Sequence, residues 1–131
     1  MSESGKALGS KTAPSAGEHL TALAEAYVRE HSSERFSLQA MAGALYVNGS
    51  YLLRVYKAQT GHTLLWFHHH VRCENAKKLL SDTDLSIAVV GETVSFVSAA
   101  HFSHIFKKLT GMTPSAYRQV YRGVEGGGSK G

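Results

Sequence analysis

The chain has 131 residues, 43% of them hydrophobic and 18% charged. That is one domain of ordinary size or two very small ones, long enough to bury a core without staples. A single cysteine, Cys73, excludes an internal disulfide framework and suits a reducing compartment. No apolar run approaches the ~18 residues of a membrane span, and no apolar N-terminal stretch marks a signal peptide. A net charge of +4 is compatible with an anionic partner without being diagnostic of one.

Residues 1–17 are rich in Gly and Ser and lack aromatics, and residues 123–131 are mostly glycine. Neither stretch buries enough apolar surface to offset its ordering entropy, so both read as disordered tails around a working domain of residues 18–122. Within it, Leu20, Leu23, Ala24, Tyr27 and Val28 mark an amphipathic helix. Ser37 caps a short second helix with a stripe of Leu38, Met41, Ala42 and Leu45, and Asn48-Gly49 breaks the pattern. A third helix over 49–60 buries Leu52, Val55 and Tyr56 and stops at Gly61. Thr63 opens a long helix to about Leu80, carried by Leu64, Phe67, Val71, Ala76, Leu79 and Leu80. After a polar break at 82–84, Ile87, Val90, Gly91 and Val94 repeat the spacing of the second helix. A sixth helix over 98–110 ends at Gly111, and Thr113-Pro114 starts a last one over 115–122. No strand pattern of convincing length appears, so the expected class is all-α.

The second half repeats the first. A shift of 49 carries Ser37, Leu38, Met41, Ala42 and Leu45 onto Ser86, Ile87, Val90, Gly91 and Val94. A shift of 50 carries Tyr51, Leu52, Val55, Tyr56, Lys57 and Gly61 onto His101, Phe102, Ile105, Phe106, Lys107 and Gly111. The extra residue falls in the turn, where insertion costs least. Each copy is a short helix, a tight turn and a longer helix, the helix-turn-helix unit, whose second helix presents its outer face to a DNA major groove. The outer faces are Gly49, Ser50, Leu53, Arg54 and Lys57 in copy one and Ala99, Ala100, Ser103, His104, Lys107 and Lys108 in copy two, with no acid on either. Lys and Arg outnumber Asp and Glu by 9 to 4 over residues 48–122, while acids lead over 18–47. Phosphate binding asks for that displacement.

With these residues the sequence resembles the AraC/XylS family of bacterial transcription regulators over about Leu20 to Arg118. SLQAMAGALYVNGSYLLRVYKAQTG resembles its first helix-turn-helix. Arg72, Ala76, Leu79 and Leu80 match the linker-helix spacing R-x3-A-x2-LL, and FVSAAHFSHIFKKLTGMTPSAYR resembles the second unit with its signature end. The resemblance implies seven helices in homeodomain-like units: a first subdomain over 18–61, a linker helix over 62–81 and a second subdomain over 82–122. It implies two recognition helices in successive major grooves, with RNA polymerase as a further partner of an activator. Carried over, the base contacts are Ser50, Leu53 and Arg54, then Ala99, Ala100, Ser103 and His104. Lys57, Lys107, Lys108 and Arg118 are expected on phosphates. Arg54 is the strongest base reader, since its fork can bond guanine O6 and N7 together. The alanines and Leu53 cannot read polar edges but can touch thymine methyls.

Where this sequence departs from the family pattern, the second unit is the one affected. Ser95 stands where the family usually has glycine, Gly91 replaces an alanine inside a helix, and His104 replaces a common arginine. They suggest a looser second unit that reads bases less strongly. His68, His69 and His70 point in different directions on a helix, and with one cysteine they offer no metal site; a polar face of the linker helix is the better account. His101 should pack in the core, and Trp66, Tyr46 and Leu85 should be half-buried. Nucleophile, phosphate-loop and metalloprotease motifs are missing, so no enzyme, cofactor or metal is expected. The competing class is a helical protein-interaction module or anti-activator with little DNA binding. The expected location is cytoplasmic, on the nucleoid, with no membrane contact. The family often adds an effector or dimerisation domain, so the chain reads either as a stand-alone regulator or as a domain of a longer one.

Overall fold

A computed structural model describes residues 13–122; residues 1–12 and 123–131, most of the two tails read as disordered, lie outside the described residues. The described residues form seven helices and no strand: α1 (Ala16–Glu30), α2 (Leu38–Ala44), α3 (Gly49–Thr60), α4 (Leu64–Asp82), α5 (Ile87–Thr93), α6 (Ala99–Thr110) and α7 (Pro114–Tyr121). The all-α class is therefore observed. α1 begins inside the segment read as tail. The Ser15 hydroxyl accepts from the Glu18 amide at 3.0 Å while the Glu18 carboxylate accepts from the Ser15 amide at 2.9 Å, a reciprocal capping box.

Most other helix starts follow from one side chain each. Ser37, Asn48, Thr63, Ser86, Ser98 and Thr113 each accept a hydrogen bond from the amide three residues on. This satisfies an amide that has no partner within the helix. α3 and α6 end alike. Gly61 (φ 81°) and Gly111 (φ 84°) take the left-handed conformation, and their amides donate to the Lys57 and Lys107 carbonyls. Just before each glycine, Thr60 and Thr110 turn their hydroxyls back to the Tyr56 and Phe106 carbonyls.

The chain divides into two compact units. Among the described residues, the first holds residues 13–30 with Phe36–Phe67. Its buried side chains are Leu20, Ala24 and Val28 of α1, Met41 and Ala42 of α2, Leu52 and Tyr56 of α3, and Leu64 and Phe67 at the start of α4. The buried Tyr56 hydroxyl donates to the Glu25 carboxylate at 2.7 Å. Burial first, and then that carboxylate, push the phenol's pKa up.

The second unit holds His31–Arg35 and residues 68–122. Its core is Cys73, Ala76, Leu80, Val90, Val94, Phe96, Phe102, Ile105 and Phe106. Burial pushes the Cys73 thiol up to about 12, which makes it inert as a nucleophile. Gly91 has a packing reason. A Cβ there would stand 2.8 Å from Cδ2 of the Phe102 ring. In the first unit the same two positions hold Ala42 and Leu52, so the repeat exchanges a small–large pair for a smaller–larger one at similar total volume. The glycine costs roughly 0.5–1 kcal/mol of helix propensity and lets a bigger ring fill the core.

The linker-helix histidines are not a polar face. His68 is 4% exposed, and His69 and His70 are half-buried. α4 serves the first unit up to Phe67 and the second from His68 on, so its apolar and buried positions are spread round the helix rather than along one stripe. Burial, then the nearby Arg72 and His69, lower the His68 pKa to about 4. Tyr46, expected half-buried, is 93% exposed because its backbone sits at φ 59° and turns the ring outward. Trp66 is half-buried as expected, while Leu85 is 38% exposed.

Candidate nucleic-acid interface

Each candidate recognition helix follows a turn of the same construction. In the first unit Tyr46 takes φ 59°, its amide donating to the Gly43 carbonyl and the next, Val47, to that of Ala42. In the second Ser95 takes φ 77°, its amide donating to Glu92 and that of Phe96 to Gly91. The position does need positive φ, so Ser95 carries the cost anticipated for it, and Tyr46 carries the same one. The inserted residue of the second turn is Val97, 87% exposed, between Phe96 and the cap Ser98. The turn lengthens without disturbing the cap.

On α3 the buried residues are Leu52 and Tyr56, which leaves Ser50, Leu53, Arg54 and Lys57 exposed together. These four, with the cap Thr63 of α4, line an open cleft of about 390 Å³. A cation, a helix N-terminus and an apolar wall thus share one recess, the chemistry that suits a phosphodiester beside a thymine methyl. On α6, Phe102, Ile105 and Phe106 are buried; Ala99, Ala100, His104, Lys107 and Lys108 are exposed and Ser103 is half-buried. Neither face carries a carboxylate.

Arg118 is placed elsewhere. Its Nε donates to the Leu80 carbonyl at 2.9 Å and its Nη2 to that of Thr83 at 3.2 Å. The guanidinium clamps the end of α4 in the second unit with two of its five N–H donors. Arg72 does the same work on another segment of that unit. It donates to the Ser32 carbonyl at 2.7 Å and the Glu34 carbonyl at 2.8 Å, and lies 5.6 Å from the Phe96 ring centre. Such contacts across 35 to 40 residues leave no local sequence signal.

One residue of the first face was missed. The Arg54 guanidinium stands 5.6 Å from the centre of the Tyr51 ring, which is 41% exposed. The matching residue of the second unit, His101, turns inward as expected. Its ring meets Phe96 edge-on at 5.5 Å and His69 at 6.0 Å. Burial, then His101, Arg72 and Lys108, lower the His69 pKa.

A family model described as a helix-turn-helix domain matches residues 41–120, from within α2 to within α7. The chain belongs to the AraC-type helix-turn-helix family of DNA-binding transcription regulators. The AraC-type chain is 39% identical over 102 residues to the MmsAB operon regulatory protein of Pseudomonas aeruginosa, covering 78% of this chain and 33% of that protein. It thus spans about a third of the length of such curated relatives. Among solved structures it resembles the C-terminal domain of AraT, a response regulator from Geobacillus stearothermophilus (TM-score 0.74, 30% identity, 82% of this chain and 90% of that one). It also resembles the DNA-binding domain of AdpA, a global transcriptional factor solved with a target DNA (TM-score 0.71, 27% identity, 82% and 96%). None of the described helices is long and apolar enough to cross a membrane.

Proposed function

We propose that this chain reads a bipartite promoter site, α3 entering one major groove and α6 the next, and that it acts as a transcription activator rather than an enzyme. The observation that supports this best is the pair of repeated helices whose exposed faces carry cations, hydroxyls and small apolar groups and no acid. Ser50, Leu53 and Arg54, with Ala99, Ala100, Ser103 and His104, meet base edges; Lys57, Lys107 and Lys108 neutralise phosphates. Arg118 is left out of the phosphate set, since two of its five N–H donors already hold backbone carbonyls. RNA polymerase is the further partner of an activator in the bacterial cytoplasm. Relatives of which this chain covers about a third have room for an effector or dimerisation domain, which would act on this reader.

Salt dependence tests the electrostatics. Affinity for duplex DNA should fall with a log–log slope of about −0.9 per phosphate neutralised, and Lys57→Ala, Lys107→Ala and Lys108→Ala should each flatten it by about 1. Footprinting tests the geometry: two protected blocks about 10 bp apart on one face are expected. A slope near zero would overturn the proposal in favour of a protein-interaction module, and a single protected groove would leave α6 without a base-reading role.

A further inference from the structure

We infer that Tyr51 is a positioning residue that gives the first unit its selectivity, by holding the Arg54 guanidinium ready for a guanine edge. The inference rests on the reading of Arg54 as a base reader. Residues 51 and 54 are neighbours on one face of α3, one turn apart. Arg54 lies 5.6 Å from the Tyr51 ring centre. A long exposed arginine side chain loses rotamer freedom when it docks on a base, and that loss is charged against every match. An aromatic ring beneath the guanidinium restricts it beforehand. A contact with the π face of the ring takes up no N–H donor and leaves the fork free for guanine O6 and N7. Pre-ordering of this kind favours the base that accepts two bonds in fixed geometry over those that accept one or none.

The second unit shows what the arrangement is without the ring. Its counterpart of Tyr51 is His101, which faces Phe96 and His69. The counterpart of Arg54 is His104, exposed on α6. No ring from position 101 is left to order position 104. The two units therefore divide the labour: α3 chooses sequence, and α6 anchors through Lys107 and Lys108 with weaker choice.

The test uses the full chain and the duplex it enriches from a random pool, with each guanine of the site replaced in turn. Arg54→Ala identifies the guanine it reads, by erasing the preference at that position. Tyr51→Leu should narrow the preference at the same position by about two- to fivefold, the range of an exposed cation–π contact. Tyr51→Phe, which keeps the ring, should retain it. The salt slope should stay unchanged in both Tyr51 variants, because no phosphate contact is lost. Retained preference in Tyr51→Leu, with Arg54→Ala still erasing it, would overturn the inference and leave the reading of Arg54 intact. Equal loss in Tyr51→Phe and Tyr51→Leu would assign the effect to the hydroxyl and overturn it as well. No change in base preference on Arg54→Ala would overturn the reading and the inference together. Unfolding curves of the Phe and Leu variants separate these results from misfolding.

Discussion

The two helix-turn-helix units share their backbone devices and differ in their side chains. Caps at Asn48 and Ser98, left-handed residues at Tyr46 and Ser95, and glycine stops at Gly61 and Gly111 recur in register. So do the threonine back-bonds of Thr60 and Thr110, whose hydroxyls also accept from His62 and Met112. The cores do not recur. Ala42 and Leu52 become Gly91 and Phe102, and the Tyr56–Glu25 hydrogen bond gives way to Phe106 set edge-on to Tyr117 at 5.7 Å. The corresponding pairs of the two helices differ again, with Tyr51–Arg54 in one and His101–His104 in the other. Local backbone chemistry sets where a helix starts and stops, so both copies must keep it. Packing needs only a matched total volume, and recognition needs to differ where the two half-sites differ.

The largest expected difference between the units is in acid. His68 belongs to the second, and its pKa falls from 6.5 to about 4 in the folded state. A buried neutral histidine binds its proton more readily when unfolded. Its contribution is therefore complete above pH 6.5 and is lost as the pH falls toward 4, by about 3 kcal/mol in all. His69 acts in the same direction. Amide exchange at pH 7 and pH 4.5 should show α5 to α7 losing protection before α1 to α3, and His68→Phe should reduce the gap. Equal loss in both units would break this part of the comparison.

Next comes Arg118. Its replacement by alanine leaves the Leu80 and Thr83 carbonyls without their donor and should cost about 1–3 kcal/mol in denaturant unfolding. The salt slope of DNA binding should hardly move, in contrast to Lys107→Ala. A flattened slope with unchanged stability would return Arg118 to the phosphate set.

Gly91 tests the exchanged core pair. Gly91→Ala gains helix propensity but drives a methyl into the Phe102 ring, for a net loss of about 1–2 kcal/mol. Adding Phe102→Leu rebuilds the Ala42–Leu52 pair of the first unit and should recover part of it. Two losses that merely add, with no coupling, would mean the pair is not compensating. The smallest effect expected is at the turns. Ser95→Gly and Tyr46→Gly remove a left-handed residue other than glycine, and each should stabilise by about 1 kcal/mol in thermal unfolding.

Much of this was legible in the sequence because its signals are local. Six capping residues and two glycines mark the helices from Leu38 onward, and the repeat picks out both candidate recognition helices. What could not be read depends on long-range contact. Arg118 and Arg72 reach backbone 35 to 40 residues away, and the burial of His68 follows from α4 passing from one unit to the other. The start at Ala16 is masked by the Gly- and Ser-rich composition around it, although Ser15 and Glu18 hold capping-box spacing. Gly91 was visible in the aligned repeat: reading it together with Phe102, instead of alone, reveals the compensation.

Selection of binding sites from a random duplex library by the full chain, at physiological salt, shows whether α3 and α6 read sequence. The account predicts an enriched motif of two short blocks about one helical turn apart, one sharply specified and containing a guanine, the other weaker. Repeating the selection with Arg54→Ala should blur the sharp block and leave the weak one. Absence of any motif, with binding that vanishes at modest salt, would contradict a sequence-reading role for these two helices.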